Sequence, residues 1–238
     1  MKNPFLHTEW RKLIMVNYEV EPEVLKPYLP FGTELDSWNG KYFVSVVGFK
    51  FLNTKVMGIK FPFHINFEQV NLRFYVKRKV GNEIRHGVVF IKEIIDKSIV
   101  KFVARMLYKE NYVQQPMRHS WKEGKDHFNI KYEWKLNNKW NSISVKTKKI
   151  LVDTLKNSQE RFIAEHYWGN IQIKKNKSYE FKVEHQPWKM YSLINYNIDV
   201  DFEAVYGKSF SILKNQQPSS VFLVEGSEVS LGDRKTII

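Results

Sequence analysis

Positions 61–78, Phe-Pro-Phe-His-Ile-Asn-Phe-Glu-Gln-Val-Asn-Leu-Arg-Phe-Tyr-Val-Lys-Arg, alternate between polar and apolar residues over most of their length. A strand sends successive side chains to opposite faces. Val70, Leu72, Phe74 and Val76 therefore share one face, and Asn71, Arg73, Tyr75 and Lys77 share the other. Carried upstream with the same parity, His64, Asn66 and Glu68 fall on the apolar face. A bulge at Glu68-Gln69 would instead move them to the side of Arg73. Either way, polar groups project from a strand whose continuation is core. Such groups are costly unless they are paired or used.

The same alternation predicts strands over residues 10–20, 34–38, 41–52, 85–96, 115–122, 128–136, 140–145, 171–173, 179–185, 190–197 and 219–229. Asn39-Gly40 marks a hairpin between the second and third of these, and Gly81-Asn82 and Asn137-Asn138 mark further turns. Residues 87–91 are apolar on both faces, which suits a central strand. Glu93 falls in phase with Val89, Ile91 and Ile95, where it is either ion-paired to Arg73 or Arg105 or functional. A 3.6-residue period predicts a helix over 98–109, with Ser98 as cap and Ile99, Phe102, Val103, Met106 and Leu107 on one face. Shorter helices are expected at Pro22, from Asn157 as cap with Glu160 in a capping box through Trp168, and over 199–206 before Gly207. The tail, 232–238, has no strong pattern and is expected to be loosely held.

No linker, repeat or low-complexity segment interrupts the chain, so residues 1–238 are expected to form one domain. Its class is mainly β (α+β), a largely antiparallel barrel or sandwich with a few short peripheral helices.

Composition narrows the chemistry. The 238 residues are 43% hydrophobic and 15% aromatic, enough for a large core, and contain no cysteine. That removes disulfides, thiolate metal sites and cysteine nucleophiles. The N-terminal sequence has no secretory apolar region and no run approaches about 18 apolar residues, so a cytoplasmic protein without membrane spans is expected. Lys and Arg number 38 against 25 Asp and Glu, a net charge of +13. Only 8 of the 38 are Arg, the residue suited to bidentate phosphate and guanine contacts, and the lysines are scattered. Nucleic acid is therefore not the expected partner, although a basic nucleic-acid-binding surface is kept as a third reading.

Gly-rich phosphate loops, Gly-x-Ser-x-Gly elbows and His-Glu-x-x-His helices do not occur. No cofactor is expected. His64 and Glu68 could both reach a metal, but two ligands do not make a site, and no metal is expected either. Three polar-aromatic clusters set ionisable groups beside large apolar ones, which is how sites retune acid and base strength. They are Glu165-His166-Tyr167-Trp168, Glu184-His185-Gln186-Pro187-Trp188 and Phe222-Leu-Val-Glu225-Gly226.

Several segments together resemble a known family. They include Leu25-x-Pro27-Tyr28-Leu29-Pro30-x-Gly32-Thr33-Glu34-Leu35, Val44-Ser-Val-Val-Gly-Phe49, Asn66-Phe-Glu-Gln-Val-Asn-Leu-Arg-Phe-Tyr-Val76, Gly87-Val-Val-Phe-Ile91, Glu165-His-Tyr-Trp-Gly169 and Val183-Glu-His-x-Pro-Trp188. The chain resembles the bacterial domain of unknown function 2071, grouped with the acetoacetate decarboxylase-like superfamily. The resemblance implies a cone-shaped antiparallel β-barrel around a pocket. In the decarboxylases a Schiff-base lysine is activated by an adjacent lysine. Here Arg105 matches the Arg of the family motif, Tyr112 and Val113 stand where the lysine pair should be, and Lys109 is out of register. Glu68 is the implied counterpart of the decarboxylase glutamate.

The expected function is therefore a pocket for a small oxygenated or carboxylate ligand, in a protein that is an enzyme without the Schiff-base lysine or a non-catalytic sensor or interaction protein. Glu68 and Arg105 are the candidate catalytic residues. Asn66, Arg73, Glu93, Tyr108, His166 and His185 are the candidate ligand-binding residues, and self-association into a homo-oligomer is left open.

Overall fold

The structure, a computed structural model, describes residues 4–96 and 112–238. Its strands are β1 (Leu6–Val20), β2 (Glu34–Leu35), β3 (Tyr42–Val56), β4 (Phe67–Val80), β5 (Glu83–Ile95), β6 (Tyr112–Gln114), β7 (Met117–Glu123), β8 (His127–Leu136), β9 (Lys139–Val152), β10 (Trp168–Lys174), β11 (Lys177–His185), β12 (Met190–Asp199), β13 (Ser220–Leu231) and β14 (Lys235–Ile237). Short helices α1 (Pro22–Leu25), α2 (Gln159–Ala164) and α3 (Phe202–Tyr206) decorate them. The helix expected over 98–109 lies outside the described residues, as do Arg105 and Tyr108. No helix among the described residues is long and apolar enough to cross a membrane.

The strands run in the order β11-β10-β5-β4-β3-β1-β13, and β13 pairs back onto β11. That pairing closes a barrel, which removes the free edges a sheet of this length would otherwise expose. From β13 the sheet continues through β12, β9, β8 and β7, and this second layer packs on the outside of the barrel wall. Most pairings are antiparallel; β10–β5 and β5–β6 are parallel.

Two apolar cores follow from the two-residue period of the wall strands. Ile14, Val16, Val44, Val46, Val70, Leu72, Phe74 and Val76 point outward and meet Ile130, Tyr132, Trp134, Ile143 and Val145 of the second layer. Leu13, Met15, Phe43, Val47, Phe49 and Tyr75, one residue out of phase, point into the barrel. Each fully buried large side chain contributes roughly 1.5–3 kcal/mol, so a strand shifted by one residue would forfeit both cores at once. Gly48 lets the layers approach. A Cβ there would stand 2.9 Å from Ile143 Cδ1 and 3.0 Å from Tyr132 Cδ2. Helix α2 inserts Ile163 and Ala164 into the barrel interior.

Several local expectations are corrected. The strand expected from residue 61 begins at Phe67, after a bent segment in which Phe63 has φ +67°. Asn39-Gly40 does form a tight turn with positive φ at both residues, bridged by Trp38 and Lys41, but β2 pairs with β4 rather than with β3. Helix α2 stops at Ala164, because Trp168 is needed as the first residue of β10, and Ser158 rather than Asn157 caps it, accepting from Arg161 N at 3.2 Å. The C-terminal tail is not loose: β14 pairs with β11 and Ile237 is buried.

Candidate functional site

The parity of β4 decides which polar residues enter the barrel. Gln69, Asn71 and Arg73 point inward, and Glu68 points outward with Val70 and Leu72. Of the two phases left open at Glu68-Gln69, the one without a bulge there is found, and the irregularity lies on β5. Leu72 pairs with Lys92 but Arg73 pairs with Phe90, so β5 carries one extra residue between them. The extra residue breaks the phase that sequence alternation gave Glu93. Val89 and Ile91 stay on the outer face, while Glu93 turns inward with Phe90 and Ile95. Asn71 and Glu93 are direct partners across the ladder.

These side chains line a cavity of about 80 Å³. Its walls are largely apolar and include a cluster of aromatic rings. The Trp10 ring lies 5.2 Å from Phe49, 5.8 Å from Phe51 and 6.2 Å from Trp188, and Phe51 stacks on Phe67 at 4.4 Å. His185 stacks on Trp188 at 4.0 Å, and its Nδ1 contacts Gln186 O at 2.9 Å. Burial pushes the His185 imidazole down to about 4, so it is neutral near pH 7.

Polar groups punctuate this apolar lining. The Arg73 guanidinium is buried, donates from Nη2 to Ile163 O at 3.1 Å and lies 5.7 Å from the Tyr75 ring centre. Its Nε has no hydrogen-bond partner and it makes no ion pair among the described residues. Asn71 Oδ1 is likewise buried without a hydrogen-bond partner among the described residues. Gln69 Nε2 donates to Glu93 Oε2. His64 also reaches the lining.

Beside Arg73, His166 closes the wall. It follows α2, and Tyr167 N donates to His86 O at 3.2 Å, which fastens the start of β10 to β5. The His166 ring sits 4.7 Å from Tyr75 and 4.9 Å from Phe162, with a side chain only 2% exposed. Behind it, Asp36 Oδ2 lies 3.4 Å from His166 Nε2 and 2.5 Å from His86 Nδ1. Asp36 is placed by the β2–β4 pairing: its N donates to Tyr75 O at 3.0 Å, and Ser37 N donates to its Oδ1 at 3.1 Å. Burial alone would raise the Asp36 carboxyl, but the two imidazoles outweigh it and hold the group well below the usual carboxylate range. The histidines move oppositely. The bond to Asp36 raises half-exposed His86 against its partial burial, while burial lowers His166 more than Asp36 can offset. The donor atoms of Asp36, His86 and His166 lie within 4.8 Å of one another, close enough to share a cation.

Of the expected site residues, Arg73, Glu93, His166 and His185 line the cavity. Glu68 does not. Its Oε1 pairs with His119 Nδ1 of β7, and Lys50 Nζ contacts His119 Nε2 at 3.0 Å, so the carboxylate joins the barrel wall to the second layer. Burial is the largest single influence and pushes its carboxyl up, but the His119 bond and charge, a backbone bond and Lys50 together outweigh it, and the net shift is downward. Asn66 is exposed and accepts from Asn53 N at 2.9 Å, outside the cavity. Arg105 and Tyr108 lie outside the described residues. Gln69, Asn71, Asp36 and His86 were not singled out from sequence. For Gln69 and Asn71 the signal was present as the parity of Arg73; for Asp36 and His86 only the fold brings distant segments together.

Solved structures of similar fold include the acetoacetate decarboxylase of Legionella pneumophila, with a TM-score of 0.64, 10% identity and coverage of 99% of this chain and 87% of that one. An acetoacetate decarboxylase-like enzyme from Sphingomonas wittichii RW1 has a TM-score of 0.66 and 9% identity, covering 100% and 94%. The enduracididine biosynthesis enzyme MppR, complexed with pyruvate, has a TM-score of 0.65 and 11% identity, covering 99% and 91%. These likenesses establish an acetoacetate decarboxylase-like fold. No curated protein sequence matches the chain significantly. Residues 7–228 match the model of DUF2071, described as an uncharacterized conserved protein, and the chain belongs to that family.

Proposed function

We propose that the barrel cavity binds a small organic acid and holds its carboxylate on Arg73. One observation carries this reading: a buried guanidinium faces an apolar cavity with Nε free of any partner among the described residues. A cation buried without an anion costs several kcal/mol, a cost that a bound carboxylate removes through charge-assisted hydrogen bonds. Asn71 Oδ1 offers an acceptor beside it for a ligand hydroxyl or amine. A volume of about 80 Å³ favours a ligand of few heavy atoms. The complex of the similarly folded MppR with pyruvate supports a short 2-oxo acid as the ligand class. Among the described lining residues there is no lysine, so the reading does not pass through an imine. The site is proposed to act in a cytoplasmic, single-domain protein.

A thermal-shift panel of short carboxylates, each paired with its uncharged amide, tests the reading. Stabilisation by acids but not amides, lost in Arg73→Met, supports it. Equal response to acids and amides, or an unchanged response in Arg73→Met, refutes it. A sensor differs from an enzyme only in leaving the bound acid unchanged.

A further inference from the structure

Arg73 and His166 flank the same Tyr75 ring, and both line the cavity. Neither ring nitrogen of His166 has a hydrogen-bond partner among the described residues; Nε2 lies 3.4 Å from Asp36 Oδ2, an ion-pair distance, and Nδ1, on the other side of the ring, is the nitrogen left for a ligand. We propose that His166 is a general base, positioned by Asp36, that moves a proton to and from the carbon next to the keto group of a bound 2-oxo acid. The inference rests on the carboxylate reading of the cavity and adds a reaction to it.

The groups in the wall fit this step and few others. A base within reach of a cation is what enolisation requires, since the base takes the proton and the cation meets the charge that develops on oxygen. The C–H bond breaks, its proton goes to His166 Nδ1, and its electron pair becomes the carbon–carbon double bond of the enolate. The negative charge settles on the former keto oxygen beside the Arg73 guanidinium. Return of a proton from Nδ1 to the same carbon restores the keto acid, so no oxidant or second reactant is needed. In water the proton on the imidazolium exchanges with solvent before it returns, and the carbon acquires a solvent hydrogen.

Asp36 acts through His166. Its carboxylate fixes the ring with Nε2 protonated and stabilises the imidazolium as it forms, the role a buried aspartate plays behind a histidine base. His86 holds the same oxygen from the solvent side at 2.5 Å. Among the described residues, the charged and titratable groups facing His166 are Asp36 after β2, Arg73 and the Tyr75 ring on β4, and His86 on β5. Burial, the largest influence, and to a lesser degree Arg73 and His86 oppose a positive charge on the ring and outweigh Asp36, so the resting ring is neutral and able to accept a proton. The Arg73 guanidinium acting on the same ring argues against a resident cation on Asp36, His86 and His166.

The test is deuterium incorporation into 2-oxobutyrate in D2O, followed by loss of its methylene proton signal, with binding read independently from ligand line broadening. Wild type is expected to exceed protein-free buffer by at least about a thousandfold, which leaves room for the loss to be read. His166→Gln should fall by roughly a hundredfold while still binding, the size expected for loss of a general base. Asp36→Asn, which preserves shape, should slow exchange and move the midpoint of its pH profile; it carries the test if His166→Gln fails to fold. Binding without exchange overturns the proposal and leaves the carboxylate pocket intact. Exchange unaffected in His166→Gln, or a pH profile unmoved in Asp36→Asn, also overturns it. Exchange abolished by EDTA and restored by Zn²⁺ overturns it in favour of a metal held by the same three residues. Failure of 2-oxobutyrate to bind overturns the proposal, while the carboxylate pocket stands or falls on the thermal-shift panel.

Discussion

Arg73 Nη2 donates to Ile163 O at 3.1 Å, so one nitrogen of this cavity-lining guanidinium is tied to the end of α2 while Nε has no hydrogen-bond partner among the described residues. The bond fixes the direction of the cation, and the free nitrogen gives it something to do. Replacing Arg73 by Met should change the stability of the free protein by no more than about 1 kcal/mol, because loss of the bond to Ile163 is offset by removal of an unpaired buried charge. Ligand-induced stabilisation should vanish altogether. Chemical denaturation with and without a carboxylate that stabilises the wild type measures both quantities on one protein.

Glu68 is expected to matter for the joint between layers rather than for ligand. In Glu68→Gln the His119 contact becomes a neutral hydrogen bond and Lys50 loses a nearby anion, at a cost of about 1 kcal/mol. Denaturation midpoints should fall by that amount, and carboxylate binding should match wild type. A large loss of binding with unchanged stability would put Glu68 back at the cavity.

The His185 imidazole gives stability a defined dependence on acid. Its folded value is about 4, against about 6.5 in the unfolded chain. As pH falls through 6.5 the unfolded chain takes up a proton that the folded one refuses, so stability drops between about 6.5 and 4 and levels off below. The loss is on the order of 2–3 kcal/mol at the acid end of that window. Buried His166 adds a slope of the same sign. His86, raised by Asp36, works the other way, since its contribution is complete below 6.5 and is lost as pH rises through its folded value. Urea denaturation from pH 7 to 4 should show a shallower decline in His185→Gln than in wild type.

Gly48 is expected to be intolerant of even one added methyl. A Cβ at 2.9 Å from Ile143 and 3.0 Å from Tyr132 must push the second layer off the barrel wall. Overpacking of this kind costs roughly 1–3 kcal/mol, so Gly48→Ala should lower the denaturation midpoint while leaving the cavity's ligand response in place.

How far the sequence carried depends on the element. The alternation in β1, β3, β4 and β13 was legible because each strand of the closed wall separates two apolar cores, and the two-residue period survives wherever no extra residue intervenes. Asn39-Gly40 was legible as a turn from its local backbone preference, but not the pairing of β2 with β4, which depends on where β4 runs. Glu93 went astray because a bulge leaves no mark in hydrophobicity: Ile91 and Lys92 both lie on the outer side, and from there the phase is reversed. Glu68 went astray for the opposite reason, since its strand kept strict parity and the second layer supplied a histidine and a lysine to make an outward carboxylate tolerable. Asp36, His86 and His166 are separated by 50 and 80 residues, and only the parallel pairing of β10 with β5 and the β2–β4 contact bring them to one point.

A crystal structure of the protein soaked with a carboxylate from the thermal-shift panel tests the central claim most directly. The expected result is ligand inside the barrel, with a carboxylate oxygen within about 3 Å of Arg73 Nε and the remaining atoms against the Trp10 and Trp188 rings. Ligand bound elsewhere, at the Glu68–His119 joint or on the lysine-rich surface, with Arg73 Nε still unengaged, would contradict it.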